Sequence, residues 1–157
     1  MQKHYIDLLE DMLTNQEKYK KQLRFREMEL EDTLKEIIPE SQLNTDLQHP
    51  GTIRAGSNTS SVESKVLKCH NDTQYQLLYS VVHNTPRFIH SMTKLEVIIY
   101  EYKYRDKDIT VNQWEHVAAL LDAEVRGKDR SIGKTTTLKI RNKMLQRYAD
   151  YIGIPIV

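Results

Sequence analysis

An all-α protein is predicted: a long N-terminal helix packed on a central helix, followed by a C-terminal pair of helices. Three observations carry this. Glycine (5) and proline (4) are scarce among 157 residues, which disfavours a turn-rich all-β architecture. Apolar residues recur at helical three- and four-residue spacing over much of the chain. Hydrophobic residues make up only 39% and mean hydropathy is −0.63, so much of the surface must be solvated or elongated. The length suits one domain, or a small domain with a helical attachment.

Residues 1–39 read as an N-terminal helix for packing or oligomerisation. Tyr5, Leu9, Met12, Tyr19, Leu23, Leu30, Leu34 and Ile37 fall near a 4-3 spacing, with Gln16 and Arg26 at intermediate positions of the seam. Charges crowd the other faces, and no Gly or Pro intervenes before Pro39. The pattern predicts a helix over 3–38 that packs along one stripe against another helix, in the chain or in a partner. Residues 40–64 form a polar linker rich in Ser, Thr, Asn, Gly and Pro, where no period survives.

Residues 65–92 form the central helical region. It starts near Val62 and runs to about His83, with an interruption around His70-Asn71-Asp72. Val66, Leu67, Tyr75, Leu77, Leu78, Val81 and Val82 supply its apolar face. Pro86 then opens a turn or helix, or kinks a longer one. His70, His83 and His90 are too widely spaced to suggest a ligand set, and no metal site is expected.

Residues 93–157 carry the most information. Thr93 caps KLEVIIYEYKYR, and Glu96 completes a capping box. Leu95, Ile98, Ile99 and Tyr102 form a stripe, and Asp106-Lys107-Asp108 makes a charged turn. Thr110 caps the next helix, in which Val111, Trp114, Val117, Ala118 and Leu121 share a face. That spacing makes Trp114 a core anchor. VRGKDR is a basic turn, with Gly127 free to take a positive φ. Ser131 offers an N-cap for a last helix that reaches Ile152 and stops at Gly153 and Pro155.

Charge is segregated. Between Val125 and Arg147 stand eight basic residues against Asp129, a local +7, while the remainder holds 15 basic and 21 acidic residues, or −6. Such a patch attracts a polyanion. Two helices joined by a basic turn, the second one cationic, have the pattern of a helix-turn-helix, which places the second helix in a DNA major groove. On the wheel, Gly133, Thr137, Ile140, Met144, Tyr148 and Tyr151 face the core. Thr135, Leu138, Lys139, Asn142 and Gln146 face outward, flanked by Lys134 and Lys143. Lys134, Thr135, Leu138, Lys139 and Asn142 are therefore the candidates for base contact. Arg126, Lys128, Arg130, Arg141, Lys143 and Arg147 are candidates for phosphate contact.

Other classes find little support. GKTTT at Gly133–Thr137 superficially resembles a phosphate-binding loop, but the required upstream glycine position is Lys128, and no strand precedes it. No catalytic motif appears, so no enzyme and no cofactor are expected. The single Cys69 excludes a disulfide framework and a Cys-based zinc site within one chain. No run approaches the roughly 18 apolar residues that span a bilayer. MQKHYIDLLEDML has charges within its apolar stretch and is no signal peptide. A soluble cytoplasmic protein without a membrane partner is expected.

The segment from Thr93 to Ile154 resembles the sigma-region-4-like helix-turn-helix of phage late-gene transcription activators from Gram-positive hosts, the RinA/ArpU type. The resemblance extends to an N-terminal helical segment, a linker like RAGSNTSSVESK, and an "E…KY" segment at Glu101-Tyr102-Lys103-Tyr104. The turn from Glu124 to Arg130 is longer than the usual tight turn. The resemblance implies activation of phage or prophage late genes in a bacterial host by binding promoter duplex; a sequence-specific regulator of promoter or operator DNA is expected, with RNA polymerase as a further candidate partner. A homodimer is also expected, since paired half-sites are common, with the N-terminal stripe as its interface. The rival readings are a phage small terminase subunit and a helical adaptor for an acidic protein.

Overall fold

The computed structural model describes residues 2–37, 61–105, 113–125 and 131–155. Among these residues there are seven α-helices and no strand, so the protein is all-α. The helices are α1 (Lys3–Thr14), α2 (Gln16–Ile37), α3 (Ser61–Asn71), α4 (Thr73–His90), α5 (Lys94–Tyr100), α6 (Trp114–Glu124) and α7 (Lys134–Ile152). A π-helical turn, Glu101–Arg105, continues α5. No helix among the described residues is long and apolar enough to cross a membrane. Thr110, Gly127 and the Asp106-Lys107-Asp108 turn lie outside the described residues, as does most of the 40–64 linker.

The single N-terminal helix expected over 3–38 is broken at Asn15, whose φ of −103° and ψ of 44° leave the helical region. The cause is local. Thr14 Oγ1 donates to the Glu10 carbonyl (2.7 Å), Asn15 Nδ2 to Asp11 Oδ1 (2.6 Å), and Gln16 Nε2 to the Met12 carbonyl (2.5 Å). Thr14 and Gln16 thus take backbone carbonyls of the preceding turn, while Asn15 takes the Asp11 side chain. Asp11 also receives Lys18 Nζ (2.7 Å) and the Tyr19 hydroxyl (2.6 Å) from the far side of the break.

Lys18 and Tyr19 hold the Asp11 carboxyl at about 2, below its ordinary 3.8. A depressed carboxylate stabilises the fold above its unfolded value, and that stabilisation is lost as pH falls through the folded one. Asp11→Asn should therefore lower the melting temperature at neutral pH, and the gap to wild type should close between about pH 4 and pH 2. Thermal melts across that window check this; a gap as wide at pH 2 as at neutrality would assign the effect elsewhere.

The chain forms two compact units, one of Met1–Tyr19 with Ser80–Val157 and one of Lys20–Tyr79. In the first, α1, α5, α6 and α7 pack together, with the π-helical turn against α1. Phe88, Ile99, Val117, Leu121, Met144, Leu145 and Tyr148 are sealed in its core, and the Phe88 and Tyr148 rings lie 5.1 Å apart. Thr85 is buried there with every bond made. Its hydroxyl donates to the Val81 carbonyl (2.6 Å) and accepts from Gln16 Nε2 (3.1 Å) and the Tyr148 hydroxyl (2.7 Å). Gln16, placed by spacing on the apolar seam, thus lies beside a buried hydroxyl that it satisfies.

Among the described residues of the second unit, Leu23, Leu30 and Leu78 are buried. Arg26 makes a two-pronged contact with Asp72, Nε to Oδ1 at 3.1 Å and Nη2 to Oδ2 at 2.6 Å. Asp72 Oδ1 also accepts the Tyr75 amide (2.6 Å), which starts α4. The Arg26 contact and that amide keep the Asp72 carboxyl below its usual range. The expected interruption at His70-Asn71-Asp72 therefore falls at Asp72. Val66, Leu67 and Leu77, placed on the apolar face by spacing, are exposed, whereas Leu78, Val81, Thr85 and Phe88 turn inward from α4. Pro86 lies inside α4.

Candidate nucleic-acid interface

The capping box at the start of α5 is present. The Thr93 amide donates to Glu96 Oε2 (2.8 Å), and the Glu96 amide donates to Thr93 Oγ1 (3.4 Å). Glu96 is itself only 5% exposed, so its carboxylate needs a countercharge. Arg147 of α7 supplies it: Nη1 lies 2.6 and 2.5 Å from the two carboxylate oxygens, and Nη2 donates to the Ser91 carbonyl (3.2 Å). Arg147, a candidate for phosphate contact by sequence, is the clamp that holds α7 against the start of α5.

Helix α7 begins at Lys134, three residues after Ser131. The Ile132 amide donates to Asp122 Oδ1 of α6 (2.7 Å), which ties the incoming strand of chain to α6. Gly133 occupies the N-cap in an extended conformation and makes no side-chain cap bond, so Ser131 does not serve as the cap. No acid lies in the first turn. At the other end Gly153 takes the left-handed conformation (φ 75°), and its amide reaches the Ala149 and Asp150 carbonyls. This stop is the one the sequence predicts.

Thr137, Met144, Leu145, Tyr148, Ala149 and Ile152 form the buried side of α7. Gly133 and Tyr151, expected inside, are exposed. At 100° per residue the buried side is turned by about 60° from the expected one, because Leu145, Ala149 and Ile152 join it. The exposed side accordingly runs through Thr135, Thr136, Lys139, Lys143, Gln146 and Asp150. Thr136 is an addition that the sequence wheel missed. Leu138 and Asn142 are half-buried at its edge. Thr136, Lys139, Ile140, Asn142 and Lys143 line an open depression of about 430 Å³.

The remaining cations divide sharply. Lys134 stays at the surface, bonded to Glu115 of α6 (2.7 Å), and this contact keeps the Glu115 carboxyl below its usual range. Arg141 turns inward. Its Nε donates to Asn142 Oδ1 (3.1 Å) and its Nη1 to Glu10 of α1 (3.2 Å), with only 15% of the side chain exposed. The same Glu10 oxygen accepts the Tyr104 hydroxyl (2.7 Å). Burial and Glu10 push the Tyr104 phenol far above its ordinary range.

Trp114 is half-buried, not a sealed anchor. The Arg141 guanidinium lies 5.3 Å from its ring centroid and Lys103 Nζ 4.7 Å from it. Trp114 is therefore a platform for two cations, an arrangement favoured where they are partly desolvated. Burial holds the Lys103 ammonium below its ordinary range. Glu10 and Lys103 have no signal in the sequence, since nothing local links them to Arg141 and Trp114, and the spacing that makes Trp114 a core anchor does not show its two cations.

Arg126, Lys128 and Arg130 lie outside the described residues. Among the described residues no cluster of His, Cys, Asp and Glu could hold a metal ion. Comparison with protein-family models, with curated proteins and with solved structures finds no match for this chain.

Proposed function

We propose that the protein binds duplex DNA through α7 and regulates transcription. The observation that carries the reading is the exposed side of that helix. Thr135, Thr136, Lys139, Lys143 and Gln146 are exposed on it, while the opposite side is packed into the core. Hydroxyls and an amide suit base edges, and lysines suit guanine or phosphate. The amino end of α7 carries no acid in its first turn, so its dipole also favours a phosphate.

Within this reading the roles divide as follows. Thr135, Thr136 and Lys139 lead into the groove, with Asn142 at its margin. Lys143 and Lys134 address the backbone, the latter by exchanging Glu115 for a phosphate. Arg141 and Arg147 support the helix from behind. The resemblance to RinA/ArpU-type activators suggests the setting: late genes of a phage or prophage, in the cytoplasm of a bacterial host, with RNA polymerase as a partner.

Titration of the whole chain against duplex DNA over a range of salt tests the proposal. Affinity should fall steeply with salt, with a log–log slope of about −0.9 for each phosphate contact. A selection from random duplexes should return one preferred sequence. Salt-independent binding, or no binding at low salt, would remove DNA from the reading.

A further inference from the structure

The outer side of α2 carries a feature that binding through α7 does not use. Tyr19, Leu23 and Leu30 are buried, and Arg26 turns the same way toward Asp72. Phe25 and Met28 point in the opposite direction at 100° per residue. They are 66% and 59% exposed. Single exposed apolar residues are ordinary on any surface. What sets this pair apart is its place in the charge pattern of the helix.

Residues 20–24 hold Lys20, Lys21 and Arg24 and no acid; residues 27–32 hold Glu27, Glu29, Glu31 and Asp32 and no base. Phe25 and Met28 flank the point where the sign changes. Lys21 and Asp32 lie on the same outer side as the apolar pair, and both are exposed. A helix with this pattern is complementary to itself when reversed. Running antiparallel about a two-fold axis at Arg26–Glu27, residue 25 meets residue 28 of the second copy, and residue 21 meets residue 32. The parallel arrangement would set Lys21 against Lys21 and Asp32 against Asp32.

We infer that the outer side of α2 is an isologous homodimer interface, with Phe25 and Met28 at its centre and Lys21 paired to Asp32 of the second copy. A two-fold contact requires one patch to fit its own copy, and the charge reversal across Phe25 and Met28 meets that requirement. The interface is on the far side of α2 from the stripe that spacing alone nominated, because the stripe is occupied within the chain. The inference stands independently of DNA binding.

Sedimentation equilibrium of the full chain tests it, with far-ultraviolet circular dichroism to confirm that variants keep their helices. The wild type should be a dimer. Phe25→Glu, and separately Met28→Lys, should yield monomers, and their exposure in the single chain leaves the fold intact. Lys21→Glu and Asp32→Lys should each weaken the dimer by about tenfold or more. Mixing those two variants, or combining both changes in one chain, should restore it. A monomeric wild type, a dimer indifferent to Phe25→Glu, or single charge reversals without effect, as a parallel pair would give, would each overturn the inference.

Discussion

Replacing Lys139 and Lys143 together by alanine should lower affinity for duplex DNA by on the order of tenfold or more and reduce the log–log salt slope by about 0.9, the share of the one phosphate contact that Lys143 makes. Both ammonium groups are exposed on α7, and neither is held in an ion pair among the described residues. Their removal takes charge from the face without taking a partner from the core. Thermal stability should consequently stay within about 0.5 kcal/mol of wild type, as for ordinary surface substitutions on a helix. Fluorescence anisotropy at several salt concentrations, with a melt of the same samples, gives both readouts. Unchanged binding with unchanged stability would move the interface off this face.

Arg147→Ala should do the reverse and destabilise the protein by about 2–3 kcal/mol. The Glu96 carboxylate would remain in an almost closed site, deprived of the Nη1 that now meets both of its oxygens. Removing one partner of a buried pair costs more than the pair contributes, since the remaining charge stays desolvated. The figure is set at the lower end because 39% of the Arg147 side chain is exposed. Lysine should rescue poorly: it cannot span both oxygens and the Ser91 carbonyl at once. Urea unfolding of the three proteins measures this. Full stability in Arg147→Ala together with lost DNA binding would return Arg147 to the phosphate contacts.

The legible parts of the fold are those decided within a few residues. Thr93 and Glu96 announce the capping box, Gly153 the end of α7, and Asp72 the break before α4, because each acts on its own turn. The break at Asn15 is just as local, but the apolar period resumes in register on both sides of Thr14, Asn15 and Gln16 and so masks it. What sequence spacing could not supply was the long-range pairing. Arg141 and Arg147 look like Lys139 and Lys143 in a list of cations, and only Glu10 and Glu96, distant in the chain, separate the two kinds. The rotation of α7 has a related origin, as Leu145 and Ala149 gain weight only when α5 and α6 are in place.

The Glu10 carboxylate joins residues 94 and 131 positions away through Tyr104 and Arg141, and the unit they complete begins before Tyr19 and resumes at Ser80. This bears on how the protein comes into being. Synthesis delivers α1 before α7, and α1 must then wait for α7 before its packing surface is complete. Helix formation within each segment is fast, whereas closing a loop of this span carries an entropy cost that slows the assembly of the whole. Helix α7 is thus no autonomous module, and the unit is complete only once α1 and α7, joined through Glu10 and Arg141, have met.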